Sequence, residues 1–87
     1  MKVVMRPIEM LAWFTEEGIL KPLKCKFILK DKSVCIVKID KIITRTEEKL
    51  AGNKMIIYRC QSEFNGIMRT FELKYENSTC KWFLYKI

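Results

Sequence analysis

The residues of this chain whose types could support catalysis are four cysteines and two pairs of adjacent glutamates. The chain has no histidine, so the side chain that usually acts as an acid or base near neutral pH is missing. A cysteine nucleophile would therefore lack its customary partner. The carboxylates of Glu16-Glu17 and Glu47-Glu48 are neighbours in sequence, and such pairs in loops point apart and are solvated. We therefore predict a protein that is not an enzyme.

The cysteines lack the spacing of a metal site. They are Cys25, Cys35, Cys60 and Cys80. There is no CxxC pair among them and no histidine to complete a Cys/His set. Each lies inside an alternating apolar run, where a free cysteine acts as a small core hydrophobe. We expect reduced, buried thiols rather than a disulfide framework or a metal centre, and no cofactor.

Aromatic and basic residues favour binding instead. Lysine and arginine number 17 against 10 aspartates and glutamates, a net charge of +7, which attracts polyanions. Aromatic side chains interleaved with lysine can stack bases while the cations follow phosphates. The sequence thus predicts a nucleic-acid-binding face on the last strands, made of Lys74, Lys81, Phe83, Tyr85 and Arg59. Alternatively, Phe83 and Tyr85 cover a second small core or a dimer contact.

A hairpin positions the first part of this face. Asn65-Gly66 separates two alternating runs, residues 55–64 and 67–75, and Asn-Gly is the strongest short-range hairpin signal because both residues tolerate positive φ. A two-residue loop fixes the register. We therefore expect Phe64 opposite Ile67 and Cys60 opposite Phe71, on an apolar face.

The same logic extends to the final strand, residues 80–87. After a turn at residues 76–79 we expect Trp82 opposite Leu73, which brings Lys74 opposite Lys81. Directly opposed lysines repel one another, and an anionic ligand lying across them would relieve the repulsion.

An earlier hairpin is expected around Asp31-Lys32-Ser33. A three-residue loop would place Leu29 opposite Cys35 and Cys25 opposite Ile39; the intervening pair is Phe27 with Val37. The following run, residues 34–46, exceeds the usual strand length and its apolar phase slips. A bulge or bend near Asp40-Lys41 explains both features.

The segment at residues 7–17 permits two interpretations. Pro7 at a first turn and Gly18 as a stop suit a short helix. However, isolated helices this short are marginal and the rest of the chain forms a sheet, so we favour a strand. The fold prediction is all-β, a five- or six-stranded antiparallel meander coiled into a small open barrel. The alternative is an α+β fold with an N-terminal helix at 7–17.

At 87 residues the chain is expected to form a single small β domain, residues 1–87. No apolar run approaches the roughly 20 residues of a spanning helix, and the first seven residues are too short for a signal peptide. We therefore expect a cytoplasmic protein without a membrane partner. A rival function is homodimerisation or pairing with a partner protein, through an edge strand at one end of the chain.

Several short motifs resemble those of small bacterial β-barrel proteins to which no activity is assigned. The motifs are Arg6-Pro7-Ile8, Ala12-Trp13-Phe14, Gly18-Ile19, Pro22, Lys49-Leu50-Ala51-Gly52 and Lys81-Trp82-Phe83-Leu84-Tyr85. The resemblance spans nearly the full chain. It implies a small barrel and carries no function with it.

Overall fold

Seven antiparallel β-strands form one curled sheet in the computed structural model, which describes residues 1–28 and 31–87. The strands are β1 (Val3–Phe14), β2 (Leu20–Ile28), β3 (Val34–Lys38), β4 (Lys41–Leu50), β5 (Asn53–Phe64), β6 (Ile67–Glu76) and β7 (Lys81–Lys86). The all-β prediction is confirmed. The alternative helix at 7–17 is wrong, because that segment is mostly strand β1. Within the described ranges, no helix is long and apolar enough to cross a membrane.

The sheet has the strand order β3-β2-β1-β7-β6-β5-β4, so β3 and β4 lie at opposite edges. The run at residues 34–46, expected as one bent strand, is divided at Ile39-Asp40, which is why there are seven strands and not five or six. Ile39 N–H donates to Leu23 O (2.8 Å) and Asp40 N–H donates to Gln61 O (3.1 Å). The connection thus joins β2 and β5 across the open side of the sheet. Because β3 and β4 lie at opposite edges, the sheet forms an open half-barrel.

The β5–β6 hairpin has the predicted register. Phe64 pairs with Ile67, and Cys60 pairs with Phe71. The turn residue Asn65 has φ 49° and Gly66 has φ 80°, the left-handed values that this two-residue loop requires.

The β2–β3 register differs from the prediction by two residues. Phe27 pairs with Cys35, and Cys25 pairs with Val37. The predicted partner of Cys35, Leu29, lies outside the described residues. A shift of two keeps each side chain on its expected face. Cys25 is buried as predicted, and its partner Val37 is buried too.

The β6–β7 register is also displaced by two residues. Tyr75 pairs with Trp82, and Leu73 pairs with Leu84. Cys80 has φ 59° and its N–H donates to Glu76 O (2.9 Å). It therefore belongs to the turn, whereas the prediction began the strand there.

The two chain ends lie inside the sheet, so the expectation of an edge strand at one of them is wrong. Strand β1 pairs with β2 on one side and with β7 on the other. Lys2 and Ile87 exchange two backbone hydrogen bonds of 2.8 and 3.0 Å. Pro7 is tolerated in this central strand beside an irregularity at Met5, where φ is 42°.

The core fills the concave side of the half-barrel. Tyr58, Cys60 and Leu73 are fully buried, and around them pack Leu20, Cys25, Val37, Ile56, Phe71, Trp82 and Leu84. The Tyr58 hydroxyl donates to Leu20 O across the barrel. All four cysteines are free thiols. The prediction of burial holds for Cys25 and Cys60, whereas Cys35 is half-buried and Cys80 is exposed in its turn.

Candidate nucleic-acid interface

The predicted binding residues on β5, β6 and β7 lie near one another, but their charges are largely matched within the fold. Lys74 lies opposite Phe83 rather than Lys81, so the predicted pair of opposed lysines is wrong. Lys74 is buried; its Nζ lies 3.1 Å from Glu48 Oε2 and 4.0 Å from the Tyr85 ring centroid. Its ammonium group therefore stabilises the sheet and is not free to contact a ligand.

The other two predicted cations are also close to acidic groups. Arg59 Nε lies 3.5 Å from Glu72 Oε2, the cross-strand pair that the hairpin register places there. Lys81 is exposed and pairs in register with Glu76. Of the three predicted cations, Lys81 alone makes no ion pair among the described residues.

A second face, on the convex side of β1, β2 and β3, concentrates lysine. We call it the lysine face and define it as Lys21, Lys24, Lys26 and Lys38 together with Leu11, Trp13 and Ile36, all of which are exposed. Strand alternation produces it, because the intervening residues Pro22, Cys25 and Val37 point into the core.

Two lysines of this face are directly opposed. Lys24 pairs with Lys38 across β2 and β3, and Leu11 lies opposite Lys24 on the other side. Like charges in register repel one another. The arrangement that the sequence predicted for Lys74 and Lys81 is therefore found at Lys24 and Lys38.

The lysine face has little acidic compensation. Lys26 Nζ lies 3.5 Å from Glu9 Oε2, and both side chains are largely exposed, so this ion pair is weak. Among the described residues, no carboxylate lies within ion-pair distance of the other three lysines. Three positive charges are thus available to an anionic ligand.

Exposed apolar groups lie among these charges. Trp13 is 60% exposed and pairs with Lys21, and Leu11 is 62% exposed. Between β1, β2 and β3 lies a shallow hollow of about 280 Å³ that Leu11, Lys24 and Ile36 help to line. An exposed indole beside ammonium groups is suited to base stacking with phosphate contact.

The sequence contained a signal for this face. Lys24 and Lys26 alternate with core residues of β2, a pattern typical of an exposed strand face. The error of two residues in the β2–β3 register hid the pairing of Lys24 with Lys38. The third strand of the face, β1, was ambiguous between helix and strand, so Leu11 and Trp13 could not be placed beside the lysines.

The described ranges contain no cluster of metal-binding side chains. Within them, no set of three or more His, Cys, Asp or Glu side chains is arranged to hold a metal ion. Comparison of the chain with protein-family models, with curated proteins and with solved structures finds no match. Arguments about function therefore depend on the surface itself.

Proposed function

We propose that the protein is a non-catalytic binding module for single-stranded nucleic acid and that the ligand lies across the lysine face. The observation that carries the proposal is the pairing of Lys24 with Lys38, with the exposed indole of Trp13 opposite Lys21 on the same face. Phosphates lying over the two lysines would relieve their repulsion, and an unpaired base can stack on the indole.

The energetic expectation follows from the number of free cations. With three phosphates contacted, log K should fall with log salt with a slope of about −2 for a single strand. Lysine rather than arginine carries the charge, which favours backbone contact over base-edge recognition. We therefore expect modest, salt-sensitive affinity with little sequence preference.

Fluorescence anisotropy with a labelled deoxythymidine decamer, measured at several salt concentrations, tests the proposal. Lys24→Gln with Lys38→Gln should weaken binding and reduce the salt slope by about 1.4. Trp13→Ala should cost about 1–3 kcal/mol of binding free energy. The matched control, Lys49→Gln with Lys81→Gln, removes the same charge from exposed positions elsewhere. This control should keep most of the slope of log K against log salt.

Two outcomes would contradict the proposal. One is equal loss of affinity in the lysine-face variant and in the control, which would indicate a general charge effect. The other is binding to vesicles of anionic phospholipid with no binding to the decamer, since lysines beside exposed Trp and Leu side chains also suit a lipid surface.

Pairing of edge strands is the second candidate function. The edges of the sheet are β3 and β4, and β4 presents ten residues whose outer side has no strand partner in the described chain. A second copy or a partner strand could extend the sheet there. Sedimentation equilibrium would show a concentration-dependent mass that barely changes with salt, in contrast to phosphate binding.

We also propose that the protein is cytoplasmic. All four cysteines are free thiols, and reducing compartments keep thiols in that state. Measuring the thiol content of protein isolated from its native cells under alkylating conditions would test this, with four alkylated cysteines expected per chain.

A further inference from the structure

The open side of the half-barrel contains a cavity between the start of β2 and the first half of β4. Its volume is about 490 Å³, within the range of small-molecule sites. We call it the seam cavity; its lining includes Leu20, Pro22, Leu23, Ile42, Arg45 and Tyr58. The connection Ile39-Asp40 bounds the cavity at one end.

The floor of the seam cavity is apolar and its polar atoms are already bonded. Leu20 and Tyr58 are buried, and the Tyr58 hydroxyl donates to the Leu20 carbonyl. Leu23 and Ile42 complete the apolar lining from the two facing strands. An apolar body placed here would therefore displace water without breaking a protein hydrogen bond.

The charged groups of the lining are mostly cationic. They are Lys21, Lys41 and Arg45, with Asp40 as the acidic member. Asp40 Oδ2 accepts a hydrogen bond of 2.9 Å from Glu63 N–H, which stabilises its negative charge away from a ligand. The seam cavity thus combines an apolar floor with an excess of positive charge.

Arg45 is well placed to meet an anion. Its guanidinium carbon lies 5.9 Å from the centroid of the Tyr58 ring, at the junction of floor and rim. Arg45 Nη2 lies 3.7 Å from Glu47 Oε1, and both side chains are at least a third exposed. So loose an ion pair leaves guanidinium donors for a ligand carboxylate.

We propose that the seam cavity binds a small amphiphilic anion, an unbranched acyl chain with a single carboxylate. The chain packs against Leu23 and Ile42, and the carboxylate bonds to Arg45 with Lys41 nearby. Lys21 borders both this site and the lysine face, but the other residues of the two sites differ. The proposal does not depend on nucleic-acid binding.

A titration of the ¹⁵N-labelled native protein with decanoate, followed by NMR, tests the proposal. Saturable shifts at a ratio of one to one, largest at Leu23, Ile42 and Arg45, are expected. Decanol should bind about tenfold more weakly, and decyltrimethylammonium should not saturate these positions. Shifts scattered over both sides of the sheet, or equal binding of the cation, would overturn the proposal.

Two variants separate the roles of charge and volume. Arg45→Gln should weaken decanoate binding about tenfold and leave decanol binding unchanged. Leu23→Trp should abolish binding of both ligands, because the larger ring occupies the space of the acyl chain. Leu23 is 39% exposed, so the fold can accommodate the added volume. Arg59→Gln, on the convex side, is the matched control and should bind as the native protein does. Native affinity for decanoate in the Arg45→Gln variant would overturn the proposal.

Discussion

Lys24 and Lys38 lie directly opposite one another on β2 and β3, and both side chains are exposed on the convex face of the sheet. Their repulsion should be measurable in the unbound protein. Lys24→Gln or Lys38→Gln alone should raise the free energy of unfolding at low salt, and a double-mutant cycle should give an unfavourable coupling of about 0.2 to 1 kcal/mol. Urea unfolding of the four proteins measures it.

Salt provides the control for this coupling. At about 1 M salt the Debye length is near 3 Å, so the coupling should disappear while other effects of glutamine remain. A coupling that is absent at low salt would mean that the two ammonium groups already avoid one another, and the argument for an anionic ligand at this pair would be lost.

Lys74 and Lys81 should respond very differently to charge reversal. Lys74→Glu places a carboxylate beside Glu48, where the native ammonium lies 3.1 Å away and is largely buried, and should destabilise the fold by about 2 to 4 kcal/mol. Lys81→Glu changes an exposed residue and should cost well under 1 kcal/mol. Thermal unfolding of both variants decides it. Equal small effects would mean that Lys74 is free for a ligand, as the sequence suggested.

Two tight turns of nearly identical geometry give a matched pair of predictions. Ala51-Gly52 has φ values of 50° and 82°, and Asn65-Gly66 has 49° and 80°. Asparagine tolerates the left-handed region better than alanine does, so Ala51→Asn should stabilise the protein by about 0.5 to 1 kcal/mol. Chemical denaturation would measure the gain.

In the second turn, the substitution replaces a residue that tolerates the left-handed region with one that does not. Gly66→Ala should destabilise by about 1 kcal/mol through backbone strain alone, because a Cβ there meets no atom within 4 Å. If both variants unfold at the native midpoint, the left-handed geometry of these turns is not what determines their stability.

These turns also show how far local sequence determines the fold. Asn65-Gly66 fixed the β5–β6 register because two-residue loops of that type permit only one alignment. The β6–β7 register was missed by two residues because Cys80 adopts φ 59°, and nothing in the sequence identifies a left-handed cysteine. A displacement of two residues preserves the faces, so Trp82 lies on the same face as expected from its predicted pairing with Leu73 and is buried.

The location of the candidate site depended on long-range pairing that local patterns do not determine. The pairing of β1 with β7 joins residues 74 to 83 positions apart, and it makes both chain ends interior. The ion pair of Lys74 with Glu48 joins β6 to β4. The sequence pattern places Glu47-Glu48 in a loop, whereas both residues lie in β4. Without these two contacts, the predicted face appeared more basic than it is.

The buried thiols predict how stability should change in alkaline solution. Burial is the main cause that raises the pKa of Cys25 from 9.0 to about 11, and the nearby Cys35 raises it further. Burial is also the main cause that raises the pKa of Cys60 from 9.0 to about 12. Burial likewise raises the pKa of Tyr58. Below pH 9 these groups are protonated in both states, so their full contribution to stability is present.

Above pH 9 the unfolded chain loses these protons while the folded protein keeps them. The free energy of unfolding should therefore fall by up to about 1.4 kcal/mol per pH unit for each thiol, between pH 9 and the folded pKa near 11 or 12. Urea unfolding at pH 7 to 11 measures this slope. Cys60→Ala removes one buried thiol and should make the decline shallower. Equal slopes in the native protein and the Cys60→Ala variant would show that the Cys60 thiol is not held protonated by burial in the core.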